Sequence, residues 1–257
     1  MTAAEVRQLA RQNAWVGSTR SAAPGMVQCN VAILPGEDAR QFHDWCRANP
    51  GVAPVLAVSE PGNPALPALG PDIDIRYDLP AYRVFRDGEF AGEVGDIAQL
   101  WGDDWQAFAF GCSFSLEDAL RANGVPLDYE QRGFGGAIYR TNLESVAVGR
   151  FGGPLIVSMR PIPLEAVDQV IAVSKAYPGL HGAPVHIGSP EAIGIELTRP
   201  DVAIGEMSIL ASEVPVFWPC GVTAHFAIER AKPRIASAHV SSRMLVTDLP
   251  IASLRCG

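Results

Sequence analysis

Apolar and polar positions divide the chain into short strand-like runs and helical stretches. Residues 26–34, MVQCNVAIL, form an apolar run of strand length that stops at Pro35. Over residues 37–48 the apolar side chains Ala39, Phe42, Trp45 and Cys46 then recur at helical spacing. PVLAVS, 54–59, reads as the next buried strand, so the opening third is expected to be strand–helix–strand in a partly parallel sheet. In YRVFRDGEFAGEV, 82–94, apolar positions alternate on both sides of Asp87-Gly88, a dipeptide that favours the type I′ hairpin turn. Further on, the pattern predicts a helix at 116–123 stopped by Gly124, strands at 126–130, 137–142 and 154–160, a helix at 164–176 and a strand at 184–187. VPVFWPCGV (214–222) and RMLVTDL (243–249) return to buried-strand character, with a helical stretch at 224–231 between them. The N-terminal MTAAEVRQLARQNAW has the spacing of a surface helix.

These elements point to an α/β protein of two domains. The larger, a mixed-sheet α/β domain, takes residues 1–114 and 200–257; a smaller α+β sandwich, 115–199, is inserted into it. A chain of 257 residues is long enough for either one large core or this division. With 48% hydrophobic and 19% charged residues, the composition is globular. A net charge of -8 repels phosphate backbones, which argues against nucleic acid as a partner. Nothing in the pattern reaches membrane-spanning length, because Glu213 and Pro215 interrupt the most apolar window. The five cysteines, Cys29, Cys46, Cys112, Cys220 and Cys256, are odd in number and never C-x-x-C. Neither a disulfide framework nor a zinc knuckle is indicated, and a reducing cytoplasm is the expected location.

Candidate chemistry concentrates in FAFGCSFSLEDAL, 108–120, where Cys112 and Ser113 stand side by side. G-C-S-F-S lacks the second glycine of the G-x-S-x-G elbow, in which a strand delivers a serine to a helix. Trp105, Phe108, Ala109 and Cys112 repeat at i, i+3, i+4, i+7, so the approach is expected to be helical. Ser115 and Asp118 resemble a capping box that starts the second helix at Ser115. On that reading the segment is a helix-to-helix junction whose free N–H groups attract an anion and activate a thiol, the plain alternative being a buried, inert cysteine.

Elsewhere His186 lies in a short alternating strand, where it either lines a cleft or is a structural histidine. Arg160 ends the apolar run PLIVSMR, as a carboxylate clamp or half of a buried ion pair. YRTN, 139–142, brings Arg140 and Asn142, as a polar site wall or an ordinary edge strand. No spacing among His181, His186, His225, His239 and Cys220 fits a known ligand set, so no metal and no cofactor are expected; a divalent ion has no support from spacing.

Nine tracts, in order, resemble one family. They are APGMVQCNVAILP (23–35), SEPGNP (59–64), DLPAYRVFRDG (78–88), GCSFSLEDAL (111–120), YRTN (139–142), GPLIVSMRPIP (153–163), HGAPVHIG (181–188), EVPVFWPCGVT (213–223) and VTDL (246–249). The family is the D-glutamate cyclases. The resemblance implies a two-domain α/β fold and a carbon–oxygen lyase that removes water from D-glutamate to give 5-oxo-D-proline. The chain departs from the family pattern at Ala224-His225 after GVT, at 240–243, where Arg243 replaces a second histidine, and at Gly135-Gly136-Ala137-Ile138 before YRTN.

Within that reaction Cys112, Ser113, His186 and His239 are expected to be catalytic. Arg140, Asn142, Arg160, Thr223, His225 and Arg243 are expected to bind a small carboxylate substrate. Homo-oligomer formation is compatible with the reading. A lyase, hydratase or isomerase acting on a modified amino acid in a specialised pathway, or a non-catalytic small-acid-binding protein of the same fold, are the alternatives.

Overall fold

In a computed structural model that describes residues 1–256, the apolar run at the start of the chain becomes β1 (Met26–Pro35), buried along nearly its whole length. Helix α1 (Ala3–Arg11) precedes it, opened by a capping box in which Thr2 and Glu5 exchange side-chain-to-backbone hydrogen bonds. Then follow α2 (Gly36–Ala48), β2 (Val55–Val58), β3 (Tyr82–Arg86), β4 (Glu89–Val94), β5 (Trp105–Gly111) and α3 (Ser113–Ala122). The second half adds β6 (Gly136–Val148), β7 (Phe151–Pro163), α4 (Val167–Lys175), β8 (His186–Ile187), β9 (Val202–Ile204), β10 (Glu213–Pro219), α5 (Thr223–Ala231), β11 (Ile235–His239) and β12 (Leu245–Pro250).

A seven-stranded sheet runs β2-β5-β1-β11-β3-β4, with β12 also on β1, and a five-stranded sheet runs β8-β10-β7-β6-β9. The five-stranded sheet therefore draws its strands from 136–219. One cluster of buried apolar side chains is continuous through both sheets. Phe42 of α2 joins them, its ring 5.1 Å from that of Phe108 in β5 and 5.5 Å from that of Phe151 in β7.

The expected partly parallel, mixed sheet is not found: every strand pairing among the described residues is antiparallel. β1 and β2 do run in one direction around α2, but β5 is inserted between them and pairs antiparallel with both. Residues 126–130 form turns rather than a strand, and in the 184–187 segment only His186 and Ile187 join a sheet. The hairpin at Asp87-Gly88 forms as read, with φ of 52° and 81°, both left-handed as a type I′ turn requires.

The approach to Cys112 is a strand, not a helix. β5 is central in its sheet and buried on both faces, so a nearly continuous apolar run replaces simple alternation, and part of it matches helical spacing by coincidence. The helix starts at Ser113 rather than Ser115, because the Ser115 hydroxyl is taken by β1, accepting a 2.8 Å hydrogen bond from the Gln28 N–H. The segment is thus a strand-to-helix junction.

Candidate active site

β1 shares one of its edges between two strands. β12 pairs with Met26, Gln28 and Cys29, and β11 pairs with Ala32 and Ile33. Between these pairings the strands part at Asn30 and Val31, and Ser241, Ser242 and Met244 of the β11–β12 connection line the space beside them. The cavity lies at this fork, with a volume of about 130 Å³ against roughly 10–15 Å³ for a single water.

Two helices of different sheets begin at its wall. At the end of β5, Cys112 is the N-cap of α3 in extended backbone, and its Sγ accepts the Phe114 N–H at 3.4 Å. At the end of β10, Cys220 and Gly221 lead into α5. Cys112, Ser113, Cys220 and Gly221 all line the cavity, so the positive ends of two helix dipoles converge on it.

The other polar groups come from strands. The Asn30 amide donates to Gly111 O at 2.5 Å. Ser158 of β7 is 2% exposed, and its hydroxyl has no hydrogen-bond partner in the protein although it lines the cavity. A buried hydroxyl left unmatched costs about 1–3 kcal/mol, which a ligand group would recover. Arg160, also on β7, is buried and forms an ion pair with Glu117 of α3, while Glu117 meets Arg20 at 2.7 Å. Burial works against the Arg160 charge, but the Glu117 carboxylate outweighs it and raises the guanidinium above its ordinary range. The guanidinium lies against Gly136, where an added Cβ would fall 2.2 Å from Nη1.

His239 closes the fork. Its Nδ1 faces the Val31 N–H at 3.1 Å and the Val31 carbonyl at 3.2 Å, which leaves Nε2 as the ring nitrogen free to serve the cavity. Burial lowers its pKa to about 4, so the ring is neutral at pH 7. Burial pushes the Cys112 thiol up to about 12 and raises Cys220 as well, each opposed by a nearby backbone N–H and by the positive charge of Arg160.

The structure therefore brings Cys112, Ser113, Arg160 and His239 to one cavity. His186 lies apart, half-buried against the Phe217 ring with Nε2 2.8 Å from Ser189 O. Arg140 is exposed on β6 with its guanidinium over Phe226, and Asn142 is exposed beside Gly194. Thr223 and His225 stand behind the wall. The Thr223 hydroxyl braces the turn by donating to Cys220 O at 2.7 Å, and the His225 ring packs 4.9 Å from that of His239. Arg243 is half-buried in the β11–β12 connection, between the lining residues Ser242 and Met244. Asn30, Ser158 and Cys220 were absent from the expected site set; a G-C-S and a P-C-G at two strand ends were the signal that could have paired the cysteines. No group of three or more potential metal ligands is assembled among the described residues, and no helix there is long and apolar enough to cross a membrane.

The D-glutamate cyclase family model matches residues 106–248. This chain belongs to the D-glutamate cyclase family. A family relative from Bordetella petrii, named "Putative hydro-lyase", is 47% identical over 96% of this chain and 94% of its own length. One from Rhizobium johnstonii under the same description is 47% identical over 97% and 93%. A nitrogen repressor-like protein from Methanococcus jannaschii aligns at 12% identity with a TM-score of 0.40, covering 96% of this chain and 98% of that one, too low a likeness to bear on the fold. Cys112, Ser113, Ser158, Arg160, Cys220 and His239 fall within the matched segment of the cyclase family, and Asn30 precedes it.

Proposed function

We propose that the protein is a hydro-lyase that closes D-glutamate to 5-oxo-D-proline with release of water. The observation that carries this reading is the convergence of the α3 and α5 N-termini beside buried Arg160, in a cavity of small-molecule size within the family segment. Two convergent helix ends suit a molecule with two carboxylates. Arg160 offsets their charge, reduced by its pairing with Glu117.

Closure forms a bond between the amino nitrogen and the side-chain carboxyl carbon and breaks a carbon–oxygen bond there. The ammonium gives up two protons and the departing oxygen takes up two, so the reaction needs a relay rather than an external acid. His239, neutral at pH 7 and tied at Nδ1, is suited to pass protons through Nε2. The Ser113 hydroxyl and the N–H groups at the head of α3 are suited to hold the carboxyl oxygen as its charge develops. Direct attack by the amine requires no thiolate, whereas an acyl-enzyme on Cys112 would require ionising a thiol that burial holds protonated.

Incubation of the protein with D-glutamate and with L-glutamate, followed by chiral chromatography and mass spectrometry, is the test. Formation of 5-oxo-D-proline from the D-acid is expected; binding of diacids without turnover would instead favour a small-acid-binding protein.

A further inference from the structure

The cavity holds one feature that cyclisation does not require. Cys112 and Cys220 stand in comparable positions: each follows the last residue of a strand, each lies in the turn that leads into a helix, and each lines the cavity. They follow strands of different sheets and line the same cavity. A dehydration has unlike ends, an amine and a departing oxygen, and gains nothing from matched groups. Removing a proton from one face of a carbon and returning one to the other face does require them, because the reverse reaction is the mirror image of the forward one. The unpartnered Ser158 hydroxyl, 2% exposed, independently marks the same space as built for a polar ligand.

We propose that Cys112 and Cys220 are an acid–base pair that exchanges and inverts the hydrogen at the α-carbon of a bound amino or imino acid. One sulfur enters as thiolate and the other as thiol. The α-carbon–hydrogen bond breaks, the proton goes to the thiolate, and the electron pair spreads into the adjoining carboxylate. The thiol of the other sheet then gives its proton to the opposite face. One S–H bond forms and one breaks, so nothing is consumed, and the reverse turnover restores the starting state. Carboxylate charge that grows in the intermediate meets the helix N-termini and Ser158. Burial raises both thiols, and the α-ammonium of a bound amino acid supplies a counter-charge for one thiolate.

The proposal rests on the preceding reading only for a small carboxylate as ligand. The test incubates the full chain in D₂O with each antipode of glutamate and of 5-oxoproline, with deuterium at the α-carbon read by NMR and configuration by chiral chromatography. Inversion coupled to deuterium entry is expected in at least one of these acids. Cys112→Ala and Cys220→Ala should each lower inversion by about 100-fold or more, while each retains exchange from a different antipode. Cys→Ser variants serve as replacements should an alanine variant fail to fold. Absence of deuterium from all probes, deuterium without inversion, or inversion that survives either substitution overturns the pairing. Cyclisation is scored in the same tubes, so a protein that forms no 5-oxoproline yet inverts an α-carbon refutes the first reading and leaves this one standing.

Discussion

The Cys112 and Cys220 junctions reach one result, a thiol at the head of a helix, by different local means. At the first, the cysteine is itself the N-cap, and the preceding Gly111 is pressed against the backbone of another loop, where a Cβ would lie 1.9 Å from Gly179 O. At the second, the N-cap Val222 offers no side-chain acceptor. The turn is held from outside instead: the Thr223 hydroxyl bridges Cys220 O and the Ile156 N–H, and Gly221 lies against the Asn30 amide, 2.3 Å from where its Cβ would be. One junction is fixed by backbone against backbone, the other by side chains that can move. A wall with one rigid and one adjustable corner can hold a ligand in register and still adapt to it.

Acidification should have the largest effect, acting on buried histidines near both corners. His181 follows the turn that Gly111 abuts, burial lowers it and His239 from 6.5 to about 4, and burial lowers His225 as well. Because the folded pKa values are depressed, the unfolded chain takes up protons that the native state refuses. Stability is full above about pH 6.5 and falls toward pH 4, by about 2 kcal/mol at pH 5 for each of His181 and His239. Urea midpoints at pH 7 and pH 5 measure it; equal midpoints would mean that the rings charge in place.

Next in size is Gly111→Ala, whose Cβ meets backbone that cannot step aside. A loss of roughly 3 kcal/mol in urea unfolding is expected, the upper range for overpacking. Gly221→Ala should cost less, roughly 1–2 kcal/mol, because it meets the Asn30 side chain rather than backbone, and that side chain can shift at the expense of its hydrogen bond to Gly111 O. Asn30→Ala removes this clash together with the hydrogen bond to Gly111 O, so the double variant should cost less than the sum of the two single variants, a coupling with no counterpart in the Gly111–Gly179 contact. If the two glycine variants cost the same, the contrast of rigid and adjustable corners fails. The smallest effect belongs to Thr223→Val, about 1 kcal/mol for the lost bridge. It should loosen the Cys220 corner, raising KM more than it lowers kcat in whichever reaction is detected.

Legibility followed the range of the interactions. The Asp87-Gly88 hairpin and α2 were readable because turn chemistry and a one-sided apolar stripe act within a few residues. The strand before Cys112 was misread because β5 is buried on both faces, which erases the alternation that identifies a strand. Ser115 was misread as a cap because its hydroxyl answers to Gln28, 87 positions away. Of the candidate site, the Cys112-Ser113 turn, Arg160 and His239 could be singled out as residue types suited to carboxylate chemistry. Ser158 could not, since an unmatched hydroxyl exists only once its surroundings are dry.

What the sequence by itself determined is β1, α2 and several of the later elements, the tight turn, the thiol beside a glycine at each of two segment ends, and the tracts that mark the family. Tertiary structure decided that β5 separates β1 from β2, that β11 and β12 part at Asn30, and that two helix heads from different sheets meet at the resulting fork. Local propensities act over a turn or two of chain, whereas Cys112 and Cys220 are brought together by burial of both sheets in one continuous core, a property of the whole chain.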